Sequence, residues 1–161
     1  MPPPPDKVRR LFYKIERKWS GVKTIFGLIR HGCTSWNEQG RMQGHRDIPL
    51  NEQGRRQAAR LGERLRGESW DMIISSDLSR AKETAEIIGK IAGIPVTGCD
   101  KRLRERDLGL LEGTTEEERV GRWGKNWRKL NLVQETDDQL TARGFSFIEE
   151  LAQTYPGKQI L

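Results

Sequence analysis

The stretch Thr24–Asn37, TIFGLIRHGCTSWN in one-letter code, decides the fold. Its first part, Thr24 to Ile29, is short, apolar and rich in β-branched and aromatic residues, and it stops at Arg30, His31 and Gly32. It reads as a buried strand that delivers a charged pair to a loop. Open α/β sheets bind their ligands at such strand ends.

The chemistry open to this pair follows from the side chains. A neutral imidazole is a competent nucleophile toward phosphorus, but it attacks an anionic phosphoester only if positioned cations hold the negative charge. Arg30 is such a cation beside His31, and its planar fork can take two phosphate oxygens at once. Nearby positive charge also disfavours the imidazolium and keeps the ring reactive. Gly32 lets the backbone come close to a ligand.

The run Arg30, His31, Gly32, Thr34, Trp36, Asn37 resembles the signature of the histidine phosphatase superfamily, the phosphoglycerate mutase-like family. The resemblance implies an α/β fold, a three-layer α/β/α sandwich with a mostly parallel central sheet. It implies His31 as nucleophile and Thr34 and Asn37 beside the substrate. The family's loop pattern is matched by Gln43, Gly44, Asp47, Pro49 and Leu50, which places Gln43 and Gly44 at the substrate as well. His45 stands at a variable position and reads as a solvated loop residue.

Composition bounds the rest. The chain has 161 residues, 34% hydrophobic and 32% charged, and no apolar run long enough to span a bilayer, which predicts a single soluble domain. Four prolines follow Met1 where a secretion signal would carry basic and then apolar residues, and two cysteines, Cys33 and Cys99, form neither a disulfide framework nor a metal motif. A cytoplasmic location is expected. The net charge of +6 looks like a nucleic-acid signal until it is located: residues 1–23 hold seven Lys or Arg against Asp6 and Glu16, while the remainder is nearly neutral. No nucleic-acid partner is expected.

The predicted organisation is an N-terminal extension, residues 1–22, and a phosphatase domain, residues 23–161. Val8, Leu11, Phe12, Ile15 and Trp19 recur at helical spacing among Lys7, Arg9, Arg10, Lys14, Arg17 and Lys18, so the extension reads as a basic amphipathic helix. Packing on the domain or in a homodimer is its plain role, and membrane-surface or RNA binding the other. Asn51 caps a helix over about 52–65, residues 72–74 form a second strand, and a helix runs over about 79–92. Arg80 in that helix's first turn is an odd place for a cation, because the helix dipole is positive there. A helix N-terminus with an Arg is a phosphate site, and the run Ser75–Ala85 resembles the family's second signature.

Residues 95–97 read as an edge strand. The run Leu103–Gly109 resembles the family's acid-bearing loop, which makes Glu105 the position of the proton donor; a carboxyl among phosphate oxygens is pushed toward its proton-donating form. Residues 115–130 are predicted helical with Val120, Trp123 and Trp127 inward, and so are residues 137–154. The cluster Arg122, Lys125, Arg128 and Lys129 either contacts an anionic substrate or forms a solvated face. After Gly157 another strand begins. In the family it continues to a second His that neither histidine here supplies, so the 161 residues are expected to be C-terminally incomplete.

The implied reaction is metal-free and cofactor-free hydrolysis of a small-molecule phosphomonoester through a phosphohistidine, with Arg30 and Arg80 neutralising the transferring group. A cofactor-dependent phosphoglycerate mutase is the alternative within the family, and a non-catalytic phosphoester-binding or scaffold protein the alternative outside it. No Walker loop or dinucleotide fingerprint occurs, and Gln39 and Glu105 stand where a cysteine phosphatase needs its Arg.

Overall fold

The computed structural model describes residues 12–161. Strands β1 (Phe12–Trp19) and β2 (Val22–Ile29) form an antiparallel hairpin with register from Phe12↔Ile29 to Trp19↔Val22. The two residues between them, Ser20 and Gly21, both have positive φ (48° and 82°), the hand that matches strand twist in a tight hairpin. The expected N-terminal helix is therefore corrected to a strand over Phe12–Trp19; Val8, Leu11, Lys7, Arg9 and Arg10 lie outside the described residues. The cause is visible locally: Lys14, Ile15 and Glu16 also alternate with period two, and β2 offers an edge whose ladder a solvated helix would leave unpaired. Arg17 lies 5.2 Å from the ring centroid of Phe145, and Lys14 5.7 Å from that of Trp70.

Two more strands, β3 (Ile73–Ser75) and β4 (Val96–Cys99), pair in parallel, and β5 (Gln159–Ile160) pairs in parallel with β2. Residues 159–161 join the two sheets: Asp71 N–H donates to Gln159 O (2.8 Å), Leu161 N–H to Met72 O (2.9 Å) and Ile74 N–H to Leu161 O (2.8 Å). The spatial order is thus β1-β2-β5-β3-β4, parallel except for β1. Helices α2 (Glu52–Leu65) and α3 (Ser79–Ala92) cover one face, where Leu61, Leu65 and Ile88 pack with Ile73 and Leu161. Helix α5 (Asp137–Thr154) covers the other, with Phe147 and Leu151 against Phe26, Met72 and Ile160. Burial on both faces is why the central strands read as near-continuous apolar runs.

A one-turn helix, α1 (Ser35–Glu38), follows β2, and α4 (Glu116–Trp123) lies between the acid loop and α5. The predicted helix over 115–130 ends early, because Gly124 takes φ 78° and only a single 3₁₀ turn, Trp127–Lys129, follows. Trp127 alone of its expected inner residues is buried, between the guanidinium groups of Arg119 and Arg128 at 4.8 and 4.3 Å from its ring.

The start of α2 fits against the end of β2 through two glycines. A Cβ on Gly32 would strike the Gly54 carbonyl, and a Cβ on Gly54 would strike the Cys33 carbonyl. Gly54→Ala is expected to cost about 1–3 kcal/mol or more by overpacking, read as a lowered midpoint in chemical unfolding.

Candidate active site

The backbone just after His31 is pinned from two helices. Gly32 N–H donates to Thr84 Oγ1 (3.1 Å) on α3, and Cys33 N–H donates to Gln57 Oε1 (2.9 Å) on α2. His31 Nδ1 lies 2.7 Å from the Gly32 carbonyl, which only accepts, so Nδ1 carries the proton and Nε2 keeps its lone pair. Burial pushes the His31 pKa down to about 4, Arg80 and Arg30 add to the fall, and the Gly32 bond and Glu105 oppose it. At neutral pH the ring is uncharged.

Arg80 is the most deeply buried cation described, 1% exposed. It donates from Nη1 to Arg46 O (2.7 Å) and from Nη2 to Gly44 O (2.8 Å), and its remaining N–H groups are left for a ligand. Burial lowers its proton affinity while Glu105, Asp47 and Glu112 raise it, and an arginine so placed stays charged. Arg30 is exposed at the end of β2 and makes no hydrogen bond or ion pair with a described residue. The N-terminus of α3 is not open to an anion as the sequence suggested: Asp47 Oδ1 accepts from both Ser79 N–H and Ser79 Oγ (2.7 Å each). A carboxylate of the chain itself sits on the helix dipole.

A polar cavity of about 180 Å³ collects Arg30, His31, Asn37, Gln43, Gly44, Arg80 and Glu105, together with Arg41, Met42 and Leu108. It brings together every predicted site residue except Thr34. Thr34 is fully buried and lines neither of the two cavities; its hydroxyl has Gln43 Oε1 (3.0 Å) and Asn37 Oδ1 (3.1 Å) as acceptors for its one proton, so it orients those two rather than meeting a ligand. Asn37 Oδ1 also accepts Thr34 N–H in a capping box that starts α1. Cys33 likewise lines neither cavity. Arg41 at the rim is held by the Gly113 carbonyl (2.5 Å) and Glu118 (3.0 Å). Of the basic cluster at Arg122, Lys125, Arg128 and Lys129, none lines either cavity.

A second cavity, about 370 Å³ and largely apolar, shares Arg30, His31, Arg80 and Glu105 and extends between β2 and β3 to Ile160 and Leu161. Glu105 is exposed, and its Oε1 accepts from Arg106 N–H (2.9 Å). Its loop is held by Arg143 of α5, which donates to Arg102 O (2.5 Å), Arg104 O (2.8 Å) and Glu105 O (3.0 Å), while Arg104 grips Asp77 with two bonds. His45, expected to be solvated, is half-buried and tied to this loop: Nε2 lies 2.9 Å from Glu105 O and Nδ1 3.6 Å from Asp107 Oδ2. Arg143 and His45 carry no motif signal, because each acts on backbone across the fold, and the loop pattern that matches Asp47 does not convey its contact with Ser79. Among the described residues no three His, Cys, Asp or Glu side chains cluster to hold a metal, and no helix is long and apolar enough to cross a membrane.

The profile of the histidine phosphatase superfamily (branch 1) matches residues 26–161. The chain belongs to that superfamily. It is 43% identical over 138 residues to a Bacillus subtilis protein named uncharacterized phosphatase PhoE, covering 86% of this chain and 69% of that one. It is 46% identical over 127 residues to a Salmonella choleraesuis protein named probable phosphoglycerate mutase GpmB, covering 76% and 55%. The solved structure of Bacillus stearothermophilus YhfR superposes with a TM-score of 0.77 at 36% identity, over 86% of this chain and 72% of that one. The chain therefore spans little more than half to about seven-tenths of the length of these members.

The neutral imidazole has a stability signature. The pKa of about 4 lies below the ordinary 6.5, so the unfolded chain binds the proton more readily and stability falls as pH drops from about 6.5 toward 4. Ring titration of His31 by NMR is expected to show a midpoint near 4, and His31→Asn is expected to flatten this part of the stability–pH curve.

Proposed function

We propose that the protein hydrolyses small phosphomonoesters through a phosphohistidine. The observation that carries this reading is the His31 ring, with Nδ1 bound to Gly32 O and Nε2 unprotonated, in a cavity shared with Arg30, Arg80 and Glu105. In the first step Nε2 forms a bond to phosphorus as the bond from phosphorus to the ester oxygen breaks, and Glu105 gives that oxygen its proton. In the second step the Glu105 carboxylate takes a proton from water, whose oxygen bonds to phosphorus as the N–P bond breaks. Arg30 and Arg80 neutralise the phosphoryl oxygens in both steps, so positioning and electrostatics supply most of the acceleration. The polar cavity, about 180 Å³, suits a small substrate, and the two cysteines, both free thiols, suit a reducing cytoplasm.

The name of the 43%-identical relative PhoE agrees with a phosphatase. The GpmB relative favours a second reading, a mutase, in which the same intermediate passes its phosphoryl group to another hydroxyl. Phosphate release measured against isomerisation of 3-phosphoglycerate separates the two: release is expected to dominate, and faster isomerisation would replace the phosphatase by the mutase.

Incubation with a reactive aryl phosphate, followed by quenching and peptide mapping, is expected to place an acid-labile, base-stable phosphoryl label on His31 and none on His31→Asn. An unlabelled His31 would sink the proposal. Glu105→Gln is expected to slow turnover of alkyl phosphates by about 10²–10⁴-fold, the usual worth of a general acid.

A further inference from the structure

We infer that His45 is a positioning residue for Glu105, and that its ring fixes the proton donor relative to the phosphate-binding Arg80. The consequence for catalysis rests on the phosphohistidine reading above; the tie itself does not.

The geometry singles out His45 because of what flanks it. The carbonyls of Gly44 and Arg46, immediately before and after it, are the two that the buried Arg80 guanidinium holds at 2.8 and 2.7 Å. The intervening backbone N–H of His45 is fixed as well, donating to Glu112 Oε1 at 2.7 Å. Three consecutive residues of the loop are thus tied down, and the His45 ring projects from the middle one.

At its far end the ring meets the acid loop. A carbonyl oxygen only accepts, so Nε2 donates to Glu105 O at 2.9 Å. The other nitrogen lies 3.6 Å from Asp107 Oδ2, two residues further on, and Leu108 N–H donates to Glu112, the same carboxylate that holds the His45 backbone. Arg143 reaches the Glu105 carbonyl too, but it is anchored on α5. His45 is the link from that carbonyl to the Arg80 side of the site.

The Glu105 side chain is exposed, and the hydrogen bond its carboxylate makes to a described residue is with the adjacent Arg106 N–H. Its position is therefore set by its backbone. His45 lines neither cavity, so it acts through Glu105 and not on the substrate. A general acid displaced by even a fraction of a hydrogen-bond length loses its effect only where the leaving oxygen needs a proton.

The test uses the full chain as the parent protein, His45→Leu and His45→Gln, the last keeping a side-chain N–H donor. Hydrogen exchange over residues 103–108 is expected to speed up in His45→Leu and to return toward the parent in His45→Gln. Turnover of an alkyl phosphate is expected to fall roughly tenfold or more in His45→Leu with KM little changed, while turnover of dinitrophenyl phosphate, whose phenolate leaves unprotonated, stays within about twofold. Equal loss on both substrates, or exchange unchanged from the parent, would overturn the inference. If the parent protein gives no phosphohistidine with the aryl phosphate, the functional reading fails instead, and the exchange rates alone decide whether His45 is the tie.

Discussion

The site depends on a buried cation that no described carboxylate touches directly. Arg80 is 1% exposed, yet no described carboxylate forms an ion pair with it, and its hydrogen-bond partners are two main-chain carbonyls. A buried charge without a counterion is costly, and it persists where surrounding dipoles hold it and an anionic ligand completes it. The carbonyls of Gly44 and Arg46 supply the dipoles. The same bonds give the loop over residues 43–50 its shape, so one guanidinium both builds a wall of the cavity and charges it.

That charge reaches His31 through space. Burial is the larger influence on His31, and Arg80 and Arg30, the groups that would bind the phosphoryl oxygens, add to it in holding the ring uncharged. Orientation comes from elsewhere: the Gly32 carbonyl fixes the tautomer, while Thr84 and Gln57 hold the adjoining backbone. Charge, tautomer and direction are therefore set by separate contacts on three elements.

Much of this was legible in the sequence, for a physical reason. Arg30 and His31 follow the end of β2 and Arg80 lies in the first turn of α3, where local pattern fixes both the element and the end of the sheet it reaches, while Glu105 was found by the motif of its loop; all four line the polar cavity. The helix over 52–65 announced itself by its Asn51 cap and those over 79–92 and 137–154 by their apolar spacing, and the structure gives α2, α3 and α5 those bounds. What failed was decided by tertiary contact. Residues 12–19 carry a pattern compatible with a helix, and the free edge of β2 chose the strand. The loop pattern that matches Asp47 did not reveal that its carboxylate binds the start of a helix 32 positions away. His45 and Arg143 bind main-chain carbonyls, which have no signature in side-chain sequence.

The pairing of β5 with β2 has a consequence for how the molecule is made. Ile25 and Phe26 lie beside Gln159 and Ile160, so the strand leading to His31 gains its inner neighbour from residues more than 130 positions later. Closing so long a loop pays its entropy before the contact repays it. During synthesis on a ribosome the first half of the sandwich emerges with its middle seat vacant, and the strand leading to His31 gains this neighbour only after residues 159–160 have left the tunnel.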